Sequence, residues 1–227
     1  ARELMLRGHR VGVVLRGYGG SASRSVQVVT AGSDPREVGD EAVVHALSGP
    51  HVVVTGADRV AATRRAVAEG AEIVVCDDGL QHLRLARDYE VAVVDARRGL
   101  GNGQLLPAGP LREAPGRLEA VDAVVFTQRG VATQPALSVR RPLTVTVRLT
   151  LGDAVNVTTG ERRALDSFHG QAVHAVAGIG DPAAFFAALR SAGLEVAGHA
   201  LADHAALDPG RLPFPAAATV LMTAKDA

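Results

Sequence analysis

Two adjacent carboxylates, Asp77 and Asp78, end a short apolar run and are followed by a glycine in the stretch CDDG. An aspartate that closes an apolar strand is typical of a Walker B element, in which the carboxylate faces nucleotide-bound Mg²⁺. The ordinary alternative is that one aspartate caps the turn that follows. Nearby arginines favour the functional interpretation, because guanidinium groups bind phosphate and carboxylate oxygens bind hard divalent cations.

Further candidate residues, polar or in glycine-rich segments, follow the predicted strands. In open α/β sheets, ligands bind beyond the carboxyl ends of the strands, so these residues are candidates for one site. They are RGYGG (16–20), Gly56, Asp58, Arg59, Gln81, His82, Asp95, Arg97, Arg98 and GLGNG (99–103). Their mixture of acids and arginines suits a phosphorylated substrate bound with a divalent cation.

Asp40 and Glu41 begin a predicted helix, where capping and the helix dipole favour acidic residues. His204 lies by itself in a predicted loop, ADH. Taken alone, each position favours a structural role, although an Asp–His pair could act as a general base. In GIGDPAAFF, Asp181 and Pro182 predict the N-cap and the first residue of a helix.

Short β-branched runs alternate with helical patterns over the first 130 residues. Most runs are continuously apolar, as expected for strands covered on both faces. Strands are predicted at 11–15, 26–30, 51–55, 72–76, 90–95 and 122–127, with helices at 39–48 and 58–69. This order predicts an α/β protein with a doubly wound parallel sheet.

The pattern changes after residue 142. Residues 143–150 alternate polar and apolar side chains and, with 153–158, predict a two-stranded antiparallel ribbon. A second α/β pattern follows, with strands at 172–177, 195–201 and 219–223, a helix at 182–192 and a helix-like stretch from Asp208. We therefore predict three parts: an α/β core over 1–142, a ribbon linker over 143–165, and a smaller α/β domain over 166–227 that continues past Ala227.

Composition excludes several classes of protein. Lys and Arg total 24, and Asp and Glu total 24, so the formal net charge is zero and bulk charge does not favour nucleic acid as a partner. The single cysteine, Cys76, rules out a disulfide framework and a cysteine zinc site. No apolar run reaches the ~20 residues of a spanning helix, and no signal peptide is recognisable.

One motif of nucleotide-binding proteins does not occur in these 227 residues. The Walker A pattern G-x-x-x-x-G-K-[ST] needs a lysine followed by Ser or Thr, and the sole lysine, Lys225, precedes Asp226. If the protein is a P-loop enzyme, we expect its nucleotide loop to precede Ala1.

Seven segments occur in the order found in the tetraacyldisaccharide 4′-kinase family, which this sequence resembles over essentially its whole length. The segments are RGYGG, GDEA, CDDGLQHLRLARD, LPAGPLRE, AGIGDPAAFF, LADH and MTAKDA. The resemblance implies transfer of the γ-phosphoryl of ATP to the 4′-hydroxyl of a tetraacylated glucosamine disaccharide 1-phosphate in lipid A biosynthesis. It also implies Mg²⁺, action at the cytoplasmic face of the inner membrane, and a P-loop α/β core joined by a ribbon to a smaller α/β domain.

The resemblance further implies roles for individual residues. Asp40 would be the general base, paired with His204 from the second domain. The implied Mg²⁺ ligands are Asp77, Asp78 and Glu113. The implied contacts to ATP phosphates or substrate are Arg59, Gln81 and Arg112.

The sequence departs from the family pattern at several points. The Walker A loop and the amphipathic N-terminal membrane segment are missing, Ala224 replaces the usual glutamate of MTEKDA, and Ala42 follows GDE where proline is common. Two alternatives stay open: a non-catalytic α/β module that binds phosphate or acyl sugars, and a P-loop kinase or amidoligase-type enzyme for another small metabolite. We expect a lipid disaccharide substrate, peripheral membrane contact through a segment outside this sequence, no nucleic acid and no obligate protein partner.

Overall fold

The structure, a computed structural model, describes residues 1–22, 24–129, 142–201, 214–215 and 217–227. The chain folds into two compact units, Ala1–Ala86 and Arg87–Ala227. The α/β class with parallel sheets is confirmed. The domain boundaries at 142 and 165 stay a prediction.

The first unit is a four-stranded sheet with helices on both faces. Its elements are α1 (Arg2–Leu6), β1 (Val11–Leu15), β2 (Gln27–Val29), α2 (Pro35–Val38), α3 (Asp40–Leu47), β3 (Val52–Thr55), α4 (Arg59–Ala68) and β4 (Ile73–Cys76). The strand order is β2-β3-β1-β4, in which β1 pairs in parallel with β3 and β4. The short strand β2 pairs antiparallel with β3, so the predicted parallel arrangement does not extend to this edge.

The continuous apolar sequence of β1 follows from its position in the middle of this sheet. All five of its residues are buried. On one face Val14 packs with Ala62 and Ala66 of α4, and on the other Val13 packs with Ala42 of α3. A parallel strand covered on both faces has no solvent side, which explains the absence of alternation in VGVVL.

The second unit holds two parallel sheets and a small hairpin. Its elements are β5 (Val91–Asp95), β6 (Ala123–Arg129), β7 (Leu143–Leu149), β8 (Ala154–Val155), β9 (Arg162–Arg163), β10 (Ala172–Ala177), α5 (Pro182–Ser191), β11 (Glu195–Ala200) and β12 (Val220–Met222), with 3₁₀ helices at Pro115–Ala120 and Leu165–Phe168. The sheet orders are β5-β6-β7 and β11-β10-β12, each with parallel neighbours. The helix-like stretch predicted from Asp208 begins outside the described residues.

The predicted pairing of the ribbon is wrong. Strand β7 pairs in parallel with β6 from Leu143 to Leu149, instead of antiparallel with 153–158. The antiparallel hairpin of this region joins β8 to β9, with Ala154 opposite Arg163. Alternation in 143–150 correctly predicted a strand, but all seven residues of β7 are exposed, so the predicted difference between its two faces is not observed. Alternation also does not identify the partner strand.

Helix α5 covers one face of the sheet β11-β10-β12. Phe186 and Leu189 of α5 are buried in one cluster with Val173 and Ala175 of β10. Asp181 caps the helix by accepting a hydrogen bond from the backbone N–H of Ala184 at 3.1 Å, and Pro182 is the first helical residue. The helix start predicted from GIGDP is therefore confirmed.

One face of β5 is open to solvent. Val91 is 43% exposed and Val93 is 67% exposed, whereas Ala92 and Val94 are buried. The apolar run predicted cover on both faces, whereas among the described residues only the face with Ala92 and Val94 is covered. An apolar run does not identify the residues that provide the cover. Among the described residues, no helix combines the length and apolar character needed to cross a membrane.

The half-buried imidazole of His51, just before β3, has both ring nitrogens shielded from solvent and leads to a prediction about pH. Burial, and secondarily the neighbouring His45, lowers the pKa of His51, and neither ring nitrogen has a hydrogen-bond partner among the described residues. The unfolded chain therefore binds a proton more readily below about pH 6.5, and stability falls as the pH falls through this range.

We expect His51→Leu to reduce the loss of unfolding free energy between about pH 7 and pH 5, where one titrating group contributes at most about 1.4 kcal/mol per pH unit. Urea denaturation at several pH values measures it. His9→Leu, at an exposed position in the same unit, is the matched control. The same pH dependence in His51→Leu and in wild type would contradict the expectation.

Candidate functional site

The aspartate pair lies in a tight turn at the carboxyl end of β4. The N–H of Asp77 donates to the carbonyl of Val14 in β1 at 3.0 Å, so the turn begins where the sheet ends. Asp78 has a left-handed backbone, with φ of 49°, and a Cβ on Gly79 would lie 3.0 Å from Sγ of Cys76. A side chain at Gly79 would therefore be in tight contact with Cys76, at the end of the preceding strand.

Helix α4 begins beside this turn. Asp58 caps the helix, because its Oδ1 accepts from the backbone N–H groups of Val60 and Ala61 at 3.0 and 3.1 Å. These hydrogen bonds, that of Ala61 foremost, lower the pKa of Asp58. Arg59 is only 3% exposed, and its guanidinium donates to the carbonyls of Gly56 and Asp77.

Asp40 lies near the same edge of the sheet, because the glycine that precedes it packs on the loop after β1. Gly39, which precedes α3, has φ of 89°, and a Cβ there would lie 2.7 Å from the carbonyl oxygen of Tyr18. A Cβ on Gly20 would clash with the carbonyl oxygen of Glu37. The start of α3 therefore packs directly on the RGYGG loop that follows β1. Oδ1 of Asp40 accepts from the N–H of Glu41 at 2.8 Å.

The predicted residues of the first unit thus converge on one region of the fold. Asp40 packs beside the loop after β1, Arg59 follows β3, and Asp77 and Asp78 follow β4. Gln81 lies in the next turn, where the N–H of His82 donates to the carbonyl of Gly79 at 3.0 Å. This is the carboxyl edge at which open α/β sheets bind ligands.

The other predicted residues belong to the second unit or lie outside the described part. Arg112 is exposed, and Glu113 pairs with Arg117 at 3.2 Å. Arg117 also pairs with Glu90 at 2.7 Å, and this carboxylate is the main cause of its raised pKa. His204 lies outside the described residues.

Residues after β5 stabilise the second unit. Asp95 accepts from the backbone N–H groups of Arg97 and Arg98 at 2.9 and 3.0 Å, and these bonds, Arg98 first, lower its pKa. The guanidinium of Arg97 donates to Asp181 at 2.6 Å, which joins this turn to the start of α5. A cleft of about 590 Å³ lies between the ends of β5–β7 and α5. The candidates Asp95, Arg97 and Arg98 therefore each make a hydrogen bond, through side chain or backbone, within the second unit.

Sequence reasoning missed two features of the first unit. The burial of Arg59 had a signal, since a basic residue at the first position of a helix opposes the helix dipole and calls for a specific partner. The contact between Gly39 and the RGYGG loop had a weaker signal, a glycine immediately before a helix that has no side-chain cap. That signal marks Gly39 as a special position but does not identify the RGYGG loop as the segment it contacts.

The donor set at this edge suits Mg²⁺ better than a transition metal. Asp77 and Asp78 are exposed and offer oxygen ligands, and Mg²⁺ typically takes one or two carboxylates together with waters and phosphates. No group of three or more His, Cys, Asp or Glu suited to a metal occurs among the described residues.

The fold and the candidate site are those of an α/β protein with carboxylates at the carboxyl edge of its first sheet. The family model described as tetraacyldisaccharide-1-P 4′-kinase matches residues 1–227. The chain belongs to the tetraacyldisaccharide 4′-kinase family.

Two relatives named tetraacyldisaccharide 4′-kinase are similar to this chain. The protein of Chromobacterium violaceum is 46% identical over 100% of this chain and 66% of its own length, and that of Pseudomonas putida is 43% identical over 97% and 64%. The chain thus spans slightly less than two thirds of these curated relatives. The crystal structure of LpxK from Aquifex aeolicus in complex with ATP has a TM-score of 0.77 and 26% identity, covering 99% of this chain and 71% of that one.

The close contact at Gly39, the residue before Asp40, leads to a prediction about the stability of the protein. Gly39→Ala combines an unfavourable positive φ with a 2.7 Å clash against main chain, and we expect it to destabilise the protein by about 1–3 kcal/mol. Thermal unfolding measures the loss. Gly32→Ala is the matched control, because a Cβ there would lie 4.0 Å from its nearest neighbour, Oγ1 of Thr30. Equal stability of the two variants would contradict the packing described.

Proposed function

We propose that the protein containing this chain transfers the γ-phosphoryl group of ATP to the 4′-hydroxyl of a tetraacylated glucosamine disaccharide 1-phosphate, a step of lipid A biosynthesis. The observation that carries the proposal is the carboxyl edge of the first sheet: α3, which begins at Asp40, packs on the loop after β1, and the turn with Asp77 and Asp78 follows the neighbouring strand β4. Family membership over all 227 residues supports it. The relatives described above are named as kinases, which favours catalysis over a non-catalytic binding module.

ATP and Mg²⁺ are the cofactors that this chemistry requires. The similar Aquifex protein crystallised in complex with ATP, which supports the same nucleotide here. We propose Asp77 and Asp78 as metal ligands, with Glu113 as a third, and Gln81 and Arg112 as contacts to phosphate or substrate. When bound, the cation would neutralise the charge that develops during phosphoryl transfer. The exposed carboxylates fit this role because they offer hard oxygen donors.

Asp40 has the features of a general base for the acceptor hydroxyl. It is the first residue of α3, where the helix dipole stabilises a carboxylate anion. The glycine contact with the loop after β1 fixes its backbone, so the carboxylate is held on a rigid element. We propose His204 as its partner, as the family resemblance implies. Such a base typically contributes about 10²–10⁴-fold to the rate.

The chemistry of the substrate supports a location at a membrane surface. A tetraacylated disaccharide resides in a bilayer, so an enzyme that acts on its sugar must reach the headgroup region. We propose that the protein works at the cytoplasmic face of the inner membrane, where ATP is available, through peripheral contact.

Replacing Asp40 tests both the activity and the assignment of the base. We expect the full-length enzyme to phosphorylate the disaccharide 1-phosphate with ATP, and Asp40→Asn to lower kcat by about 10²–10⁴-fold with little change in substrate KM. Transfer of labelled phosphate to the lipid, separated from ATP, is the measurement. No transfer by a folded wild-type enzyme would reject the proposed function.

Asp34→Asn is the matched control for this experiment. Asp34 caps α2 by accepting from the N–H of Arg36 at 2.8 Å, and asparagine caps a helix as well as aspartate does. The control also replaces an aspartate by asparagine, at the N-cap of α2, the helix before α3. We expect this variant to have near wild-type kcat. If Asp40→Asn also retained wild-type kcat in an active enzyme, the base assignment would be wrong.

A further inference from the structure

Arg59 is buried, whereas an arginine that binds a phosphate group would have an accessible guanidinium. Only 3% of the residue is exposed, although arginine is rarely this buried without specific partners. Burial lowers the pKa of its guanidinium, while Cys76, Asp77 and Asp78 act in the opposite direction and favour the charged form. A positive charge is thus held beneath the turn that carries the two candidate metal ligands.

Two hydrogen bonds of Arg59 go to main-chain carbonyls at two strand ends. Nη1 donates to the carbonyl of Gly56, after β3, at 3.0 Å, and Nη2 donates to the carbonyl of Asp77, after β4, at 3.1 Å. Strand β1 lies between β3 and β4, so the guanidinium bridges both neighbours of the central strand. The planar fork of arginine can reach two acceptors at once, which the single ammonium of lysine cannot do in the same geometry.

The turn that Arg59 holds is one that needs external support. Asp78 has φ of 49°, a left-handed conformation that aspartate adopts more often than most residues other than glycine but that still costs free energy. The adjacent Gly79 packs closely against Cys76, and a Cβ there would lie 3.0 Å from its Sγ. Such a conformation persists only where the surrounding structure fixes it. The hydrogen bond to the carbonyl of Asp77 acts immediately before the left-handed residue.

We propose that Arg59 is a positioning residue: it fixes the main chain at Gly56 and Asp77, and thereby sets the direction of the Asp77 and Asp78 carboxylates, without binding a phosphate group itself. This role replaces the phosphate or substrate contact that the family resemblance implies for Arg59. The inference rests on the proposed function, because the two carboxylates are the proposed ligands of Mg²⁺.

Chemical accessibility tests the proposal in the wild-type, full-length protein. Phenylglyoxal modifies exposed guanidinium groups, and peptide mass spectrometry identifies the modified residues. We expect Arg64, exposed on the same helix, to react and Arg59 to stay unmodified with or without ATP. Modification of Arg59 in the free protein, together with protection by ATP, would overturn the proposal. This measurement needs no variant, so a folding defect cannot obscure it.

Nucleotide binding separates positioning from phosphate contact. We expect Arg59→Lys to leave the Kd of ATP in EDTA within about twofold of wild type, and to weaken the added affinity that Mg²⁺ confers by about tenfold or more. Arg64→Lys is the matched control and should match wild type. A rise of about tenfold in the metal-free Kd, with the Mg²⁺ effect intact, would overturn the proposal because it is the signature of a direct phosphate ligand.

Amide hydrogen exchange provides a measurement that is independent of nucleotide. We expect Arg59→Lys to speed exchange at the backbone N–H groups of residues 77–79 by about tenfold or more, because the turn loses its anchor. Unchanged exchange there would contradict the positioning role. A wild-type protein that bound no ATP would count against the proposed function alone, since the accessibility and exchange measurements would still decide the role of Arg59.

Discussion

A buried guanidinium ties together the strand ends on which the candidate site depends. Removing a charged group from water costs several kcal/mol, and the hydrogen bonds of Arg59 to two carbonyls, each worth about 1.5–3 kcal/mol, offset much of that cost. The same carbonyls end β3 and β4, so the arrangement couples the stability of the sheet edge to the geometry of the aspartate turn. The guanidinium of Arg59, which is costly to bury, is therefore the group that we propose orders the site.

The second constraint on this edge is close contact between backbones. Gly39 and the RGYGG loop meet where neither segment has room for a side chain, and this contact sets α3 against the end of β1. Asp40 and the aspartate pair are thus placed by main-chain packing and a buried hydrogen-bond network, not by flexible loops. A site for phosphoryl transfer benefits from such rigidity, because positioning supplies most of the catalysis.

Much of this arrangement could be predicted from the sequence, and the limits have physical causes. The continuous apolar run 11–15 located β1, because a buried parallel strand needs apolar side chains on both faces. The predicted bounds of β4 and β10 also lie within a residue of the observed ones. The signal GDP located the start of α5 through capping chemistry. The partner of β7 could not be predicted, since alternation reports the two faces of a strand and not its neighbour. The partners of Arg59 could not be predicted, because they are main-chain carbonyls 3 and 18 residues away along the chain.

One crystallographic measurement tests most directly whether the carboxyl edge of the first sheet binds a divalent cation through carboxylates held by Arg59. Crystals of the full-length protein with Mn²⁺ and a non-hydrolysable ATP analogue would locate the metal by its anomalous scattering. We expect a peak at about 2.0–2.3 Å from a carboxylate oxygen of Asp77 or Asp78, with the guanidinium of Arg59 still on the carbonyls of Gly56 and Asp77. A nucleotide-bound metal that contacts neither aspartate, or a guanidinium of Arg59 turned onto a phosphate, would contradict this arrangement.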